Sequence, residues 1–227
     1  SGVFLGNVNQ LNVDNPMLSD QQRQILLDAG WGPNDVATVI IGRRHTEGGG
    51  RIDHLSHNSW RFVGGVKGDW SQAWSYAFNG LLAQVSAPEE YENDFNTNNI
   101  QDALIVDGDP NDPSTWHCRS GNAGCVPWNI FRTGGVTQDQ LAYLQIPLLS
   151  SSGTATKMAT FTVNGDFGEY GWKLPSASEG IQMAFGADYG VFEMYYRPDY
   201  AYIQGIGAGQ GGTASPIEGK YDQTEFF

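Results

Sequence analysis

Two stretches of period-two alternation constrain this chain more than any other feature. From Asn58 to Asp69, Trp60, Phe62, Gly64 and Val66 share one face of an extended strand, and Arg61, Val63, Gly65 and Lys67 share the other. Past a turn at 68–73, Trp74, Tyr76, Phe78, Gly80 and Leu82 alternate with Ser75, Ala77, Asn79 and Leu81. The pattern recurs where Ala159, Phe161 and Val163 alternate with Thr160, Thr162 and Asn164. After a turn at 174–180, Ile181, Met183, Phe185, Ala187, Tyr189 and Val191 then oppose Gln182, Ala184, Gly186, Asp188 and Gly190. A helix would scatter these apolar side chains around its circumference, whereas a strand gathers them on one side. The reading is all-β, with two up-and-down antiparallel hairpins. Strands of about ten residues are long enough to cross a bilayer at a tilt. Alternation alone describes the edge of a soluble sandwich equally well.

Aromatic placement adds a second expectation. Trp60, Trp70, Trp74 and Tyr76 are read as bracketing the first apolar stretch near its turn, where amphipathic rings suit a membrane–water boundary. Glycine at 30 of 227 residues, 12% aromatics and 16% charged residues fit a turn-rich β protein. A net charge of −13 leaves no basic stripe to neutralise phosphates, which argues against nucleic acid as a partner. No apolar run of about 18 residues is present, which argues against a spanning helix and says nothing of spanning strands. The stretch SGVFLGNVNQ has no charged, apolar and small-residue succession of a secretory leader.

Around the hairpins, local signals predict short elements. Ser19 and Gln22 form a capping box for a helix whose face is Ile25, Leu26 and Ala29, with Gly30 as the stop. A strand is expected over 36–43, running toward Gly48-Gly49-Gly50. One or two helical turns are expected at 100–105, and a second capping box, Thr137 with Gln140, opens a helix through Leu141, Tyr143 and Leu144 that Pro147 ends. The domain reading is a loop with one helix and one strand (1–57), a first hairpin (58–86), a long loop (87–156), a second hairpin (157–200) and the start of a further loop (201–227).

The stretch 107–131, DGDPNDPSTWHCRSGNAGCVPWNIF, holds both cysteines among frequent backbone punctuation. The flexible bridge 120–124 lets Cys118 and Cys125 approach within disulfide range, and a disulfide is the natural reading. Two free thiols are the alternative. A metal is disfavoured because no further Cys or His pair completes a four-ligand set. A disulfide implies an oxidising compartment.

The runs GRRHTEGGGRIDHLSHNSWRFVGGVKGDW, IQDALIVDGDPNDPSTWHCRSGNAGCVPWNIF, GGVTQDQLAYL and EGIQMAFGADYGVFEMYYRPDY together resemble the barrel region of TonB-dependent outer-membrane receptors. The most specific part is the run from Cys118 to Phe131. The resemblance implies an antiparallel transmembrane β-barrel segment in the bacterial outer membrane, its long loops carrying short helices. It further implies energy-coupled uptake of a scarce ligand, an iron chelate, cobalamin or an oligosaccharide. The implied partners are outer-membrane lipid, the rest of the receptor including its plug domain, and an inner-membrane energy-coupling complex. Plug domain, TonB box and closing aromatic strand have no counterpart in these residues, so the expectation is an internal piece of the barrel. On this reading Trp60, Phe62, Val66, Phe161, Val163, Met183 and Phe185 face lipid.

Ligand-binding candidates come from loop chemistry. Trp116 and Trp128 offer ring faces for stacking and Arg119 a fork for an acidic group, with packing inside the loop as the competing role. Arg43, Arg44 and Arg51 with His45 rank second. No cofactor, metal ligand or catalytic residue is expected: the chain lacks a Gly-x-Ser-x-Gly elbow, a His-Glu-x-x-His helix, a phosphate-binding loop or a carboxylate pair of fixed separation. The rival function is a secreted carbohydrate-binding β-sandwich, and behind it a glycoside hydrolase.

Overall fold

The computed structural model describes residues 8–209 and 212–227. Strands hold 48% of the chain and helices 17%, so the class is all-β and antiparallel. The strands are β1 (Val8–Asn12), β2 (Val36–Ile40), β3 (Ile52–Leu55), β4 (Asn58–Ser71), β5 (Trp74–Phe95), β6 (Val106–Asp107), β7 (His117–Cys118), β8 (Gln145–Asp166), β9 (Gln182–Pro198) and β10 (Ile217–Phe226). The helices are α1 (Asp20–Asp28), α2 (Thr97–Leu104), α3 (Gln138–Leu144) and α4 (Tyr200–Gln204). A six-stranded sheet has the order β10-β9-β8-β5-β3, with β4 also paired to β5; β1-β2 and β6-β7 are separate two-stranded ribbons.

Two compact units result. One comprises 1–54, 89–149 and 198–215, the other 55–88, 150–197 and 216–227.

In the second unit, β4 and β5 form the expected hairpin, tightened to a two-residue turn at Gln72 and Ala73. A bulge between Asp69 and Ser71 leaves Trp70 outside the register. Directly paired residues of an antiparallel ladder share a face. Phe62 opposes Leu82 and Val66 opposes Phe78, with Gly64 against Gly80 between them. The Cβ direction of Gly165 on β8 points at the Trp74 ring, 2.8 Å away, and that of Gly153 at the Tyr195 ring, also 2.8 Å away. Period two then carries this face along β8 through Phe161 and Val163, and along β9 through Tyr189, Phe185 and Met183. All seven residues expected on the apolar face lie on it, six exposed and Val163 half-buried. The opposite face carries Ser75, Asn79, Thr160, Thr162 and Asn164.

Several boundaries differ from those the sequence implies. β5 continues through Pro88, Glu89 and Glu90 to Phe95, and β8 starts at Gln145, so the loop expected over 87–156 contracts to 96–144. Hydrogen bonds tie the added stretches down: the Pro88 carbonyl accepts from Ser56 N–H at 3.1 Å, and the Ala87 carbonyl from the Ser152 side-chain hydroxyl at 3.2 Å. The second hairpin is joined by the whole of 167–181, including a 3₁₀ turn at Phe167–Tyr170. The region 201–227, expected as loop, holds most of α4 and all of β10, whose ten residues pair with β9 from Ile217↔Tyr196 to Phe226↔Ala187. Trp60 is not at the hairpin tip; it pairs with Gln84, well away from the turn.

In the first unit, β1 was not foreseen and pairs β2, which stops at Ile40 instead of reaching Arg43. The Ser19–Gln22 capping box is present, and α1 ends in the Gly30 stop, with Gly30 N–H bonded to Leu27 O and Trp31 N–H to Leu26 O. Its inward face is Gln22, Arg23, Leu26 and Leu27, and Ile25 is exposed. Polar contacts set that rotation: Gln22 Nε2 donates to Phe131 O at 3.2 Å, and the Arg23 guanidinium to Val13 O and Asn15 O, both at 3.2 Å. The Thr137–Gln140 box starts α3 as expected, but the helix ends at Leu144, ahead of Pro147.

Candidate functional site

The loop unit is built on a core of Phe95, Ile100, Ala103, Leu104, Trp128, Leu141 and Leu144. Asn96 caps α2 by accepting from Asn98 and Asn99 N–H, and its own N–H reaches Leu144 O at 2.8 Å, which ties the start of α2 to the end of α3. Trp128 is fully buried, edge-on to Phe95 at 5.9 Å, with its backbone N–H on Ala103 O. Its ring therefore offers no face to a ligand. Large apolar rings pack where a loop of this size needs a core, and that need claims Trp128.

His45 is buried with it. The imidazole lies 4.9 Å from both the Phe95 and Trp128 rings, and Arg43 Nη1 stands 2.8 Å from its Nδ1. Arg43 can only donate, so Nδ1 accepts and the proton sits on Nε2. Arg43 is itself paired with Glu47. Burial first, then the Arg43 charge, lowers the His45 pKa to about 4, against a smaller opposing pull from Glu47. An unfolded histidine titrates near 6.5 and the folded one near 4, so between those values the unfolded chain holds more protons and stability falls as pH falls. The full effect is about 3 kcal/mol. Amide protection around 43–47 should weaken from pH 7 to pH 4.5, and His45→Gln should lose that slope. An unchanged slope in the variant would assign it to other groups.

The disulfide is present: Cys118 and Cys125 are bonded, with Cα atoms 6.2 Å apart. Around it, the Arg119 guanidinium is divided between two carboxylates. Nε lies 3.0 Å from both Asp107 oxygens, and Nη2 lies 2.6 Å from Asp107 and 3.0 and 3.1 Å from Asp14. The hydrogen bond to Arg119 holds the Asp107 carboxyl below its usual range. Trp116 is half-buried, donates Nε1–H to Asp109 O at 2.8 Å, and covers Gly108, whose φ of +145° and lack of a Cβ permit the approach. Trp116 and Arg119 thus flank β7 and are bonded within the loop around the β6–β7 ribbon, while Trp128 lies in the core.

Among the second-ranked cations, Arg51 donates to Gly209 O at 3.2 Å and lies 5.9 Å over the Tyr91 ring. Arg44 is exposed and has no ion-pair partner among the described residues. Sequence reasoning missed Asp94. It is fully buried, accepts from Gly209 N–H at 2.9 and 3.1 Å, and has its pKa raised by burial. The available signal was an acidic residue directly before a core phenylalanine, opposite the glycine-rich run near 207–209. Among the described residues no group of His, Cys, Asp and Glu is arranged to hold a metal ion.

The sheet unit presents different chemistry. Near the 72–73 and 167–181 connections lies an aromatic group: Trp70 stacks on Tyr76 at 5.2 Å, Phe167 on Trp172 at 5.4 Å, and Trp74 meets Phe167 edge-on at 5.5 Å. Toward the other end, the face that bears Phe161 and Phe185 becomes charged. Lys220 bonds Glu193 at 3.1 Å, and Arg197 bonds Glu218 at 2.6 Å and packs over Tyr195 at 4.8 Å. That face is therefore banded along the strands as aromatic, apolar and charged.

No family model, curated protein or solved structure matches the chain.

Proposed function

We propose that this chain is part of an outer-membrane, energy-coupled receptor that takes up a scarce ligand, with lipid against the apolar face of the sheet and the long loops contributing to ligand capture. The observation that carries the reading is the banding of that face. Phe62, Phe78, Leu82, Phe161, Met183 and Phe185 are all at least 40% exposed on one side of the sheet, too large an apolar surface for water to bathe without cost. An aromatic group marks one border and ion pairs the other, the sequence of zones found on strands that cross a bilayer. On β9 the apolar zone runs from Met183 to Val191, roughly 26 Å of strand at about 3.3 Å per residue, close to the height of a barrel's lipid belt. A sandwich would require a second sheet over this face, and the exposure of its side chains argues against one. The resemblance to TonB-dependent receptors supplies the function class, and the disulfide fits the oxidising side of such a membrane.

Loops are proposed as the capture surface because the sheet is rigid and the 96–144 connection is long and carries its own core. Cells that produce the full-length receptor should hold it in the outer-membrane fraction, released only by detergent. Excision of the exposed tip 109–115 should leave that location intact and reduce ligand uptake. Recovery of the protein from the aqueous fraction would overturn the membrane reading, and undiminished uptake without the tip would overturn its role in capture.

A further inference from the structure

From the connection between β8 and β9, we infer that Tyr170, Trp172 and Leu174 anchor the protein in the headgroup–acyl boundary of a phospholipid layer. The connection, 167–181, is far longer than the turn that joins β4 to β5, and loops of such length commonly do more than join strands. It is held in one shape by its own backbone: Phe167 N–H bonds Ile181 O at 2.8 Å, Ile181 N–H bonds Trp172 O at 3.0 Å, and Trp172 N–H bonds Phe167 O at 3.0 Å. At its neck Gly168 and Gly180 pass so closely that a Cβ on Gly180 would stand 2.1 Å from Gly168 Cα, so only glycine permits the crossing. The lobe so formed has two unlike borders. Phe167 stacks on Trp172 and meets Trp74 edge-on, which continues the apolar face of the sheet onto the lobe. Tyr170, Trp172 and Leu174 are 58%, 62% and 60% exposed. A separate polar groove is lined by Asp166, Glu169, Lys173, Ser178 and Glu179, and none of those three side chains borders it.

What adjoins the lobe selects its partner. A layer that covers Phe161 and Phe185 reaches Trp172 by way of Trp74 and Phe167, without crossing the ion pairs, which lie toward the other end of the strands. The Trp172 indole N–H and the Tyr170 hydroxyl have no hydrogen-bond partner among the described residues. Each joins an apolar ring to a polar tip, the chemistry of a zone that is hydrocarbon on one side and wet on the other. A protein partner would need a matching acceptor at a fixed place for each tip, whereas a headgroup layer offers acceptors wherever the tips come to lie. This anchor rests on the receptor reading, which puts lipid against the adjoining face of the sheet.

The test is spin labelling of the full-length receptor in phosphatidylethanolamine–phosphatidylglycerol vesicles. The Cys118–Cys125 bond leaves neither of those thiols to react, so a nitroxide is attached at Leu174→Cys, Ser178→Cys or Phe161→Cys, one per variant. Oxygen should relax the label at 174 more strongly than a water-soluble nickel chelate does, and at 178 the order should reverse. A label at 174 relaxed mainly by the chelate, while the one at 161 favours oxygen, overturns the anchor and leaves the receptor reading standing. A label at 174 shielded from both reagents means that protein covers the lobe, which also overturns the anchor. Oxygen favoured at both 174 and 178 would sink the whole lobe in hydrocarbon and overturn its place at the boundary. A label at 161 relaxed mainly by the chelate overturns the receptor reading, and oxygen still favoured at 174 would then keep the anchor on a protein that only rests on the membrane.

Discussion

Phe161→Arg should lower the stability of vesicle-inserted protein by roughly 2 to 4 kcal/mol, the cost of a cation on the lipid face of a barrel strand near mid-bilayer. In a urea titration that is about a 30-fold to nearly 1000-fold loss in the ratio of inserted to unfolded protein. The neighbouring Thr162→Arg is the informative control. Phe161 lies on the face continuous with Gly165 and Trp74, and Thr162 lies on the other. On the proposed receptor reading a cation there meets an aqueous lumen and should cost well under about 1 kcal/mol. Equal penalties at the two positions would mean that both faces meet the same medium, as they would in a soluble sheet.

The same face shows how far sequence can carry such an argument. Alternation places Phe62, Phe161 and Phe185 on one side of the sheet because successive side chains of a strand point to opposite faces, and two faces of different composition leave a two-residue period. Where the two faces carry similar side chains, or the alternation is short, the imprint fades. β5 beyond Val85 reads Ser-Ala-Pro-Glu-Glu, with no apolar side to recognise, and β10 alternates only over Ile217, Gly219 and Tyr221 before turning polar from Asp222 to Glu225. Both are strands because a neighbour supplies hydrogen-bond partners, a backbone property that composition does not record. Local capping chemistry is legible for the opposite reason. Ser19–Gln22 and Thr137–Gln140 each satisfy their donors within four residues, so no tertiary knowledge is needed.

The binding candidates were legible as chemistry and not as position. A tryptophan in a loop is equally fit to stack on a ligand or to fill a core, and only the fold distinguishes them. Arg119 illustrates the electrostatic form of this ambiguity. Its planar fork suits an acidic ligand, yet Asp14, 105 residues away in the chain, arrives to occupy it together with Asp107. No local reading of the stretch around Cys118 could anticipate that partner.

Trp128→Ala should accordingly act on folding, at a cost of about 3 to 5 kcal/mol, the range for truncating a fully buried aromatic. The indole fills the space bounded by Phe95, His45 and the α2–α3 pair, and none of its surface is exposed. Its loss removes the ring against which His45 packs, and the resulting space lies beside a buried imidazole and a buried Asn129, so collapse around it is opposed by polar groups that need partners. Amide exchange provides the readout. Protection in α2 and α3 should fall by two or more orders of magnitude, while the β4–β5 hairpin, in the other compact unit, keeps its own. Trp128→Phe, which retains part of the ring, should recover some of the loss. Trp116→Ala should cost far less, since that ring is only half-buried and closes one turn over Gly108. Intact α2 and α3 protection in Trp128→Ala, accompanied by weakened ligand binding, would restore Trp128 as a binding residue and contradict the core assignment.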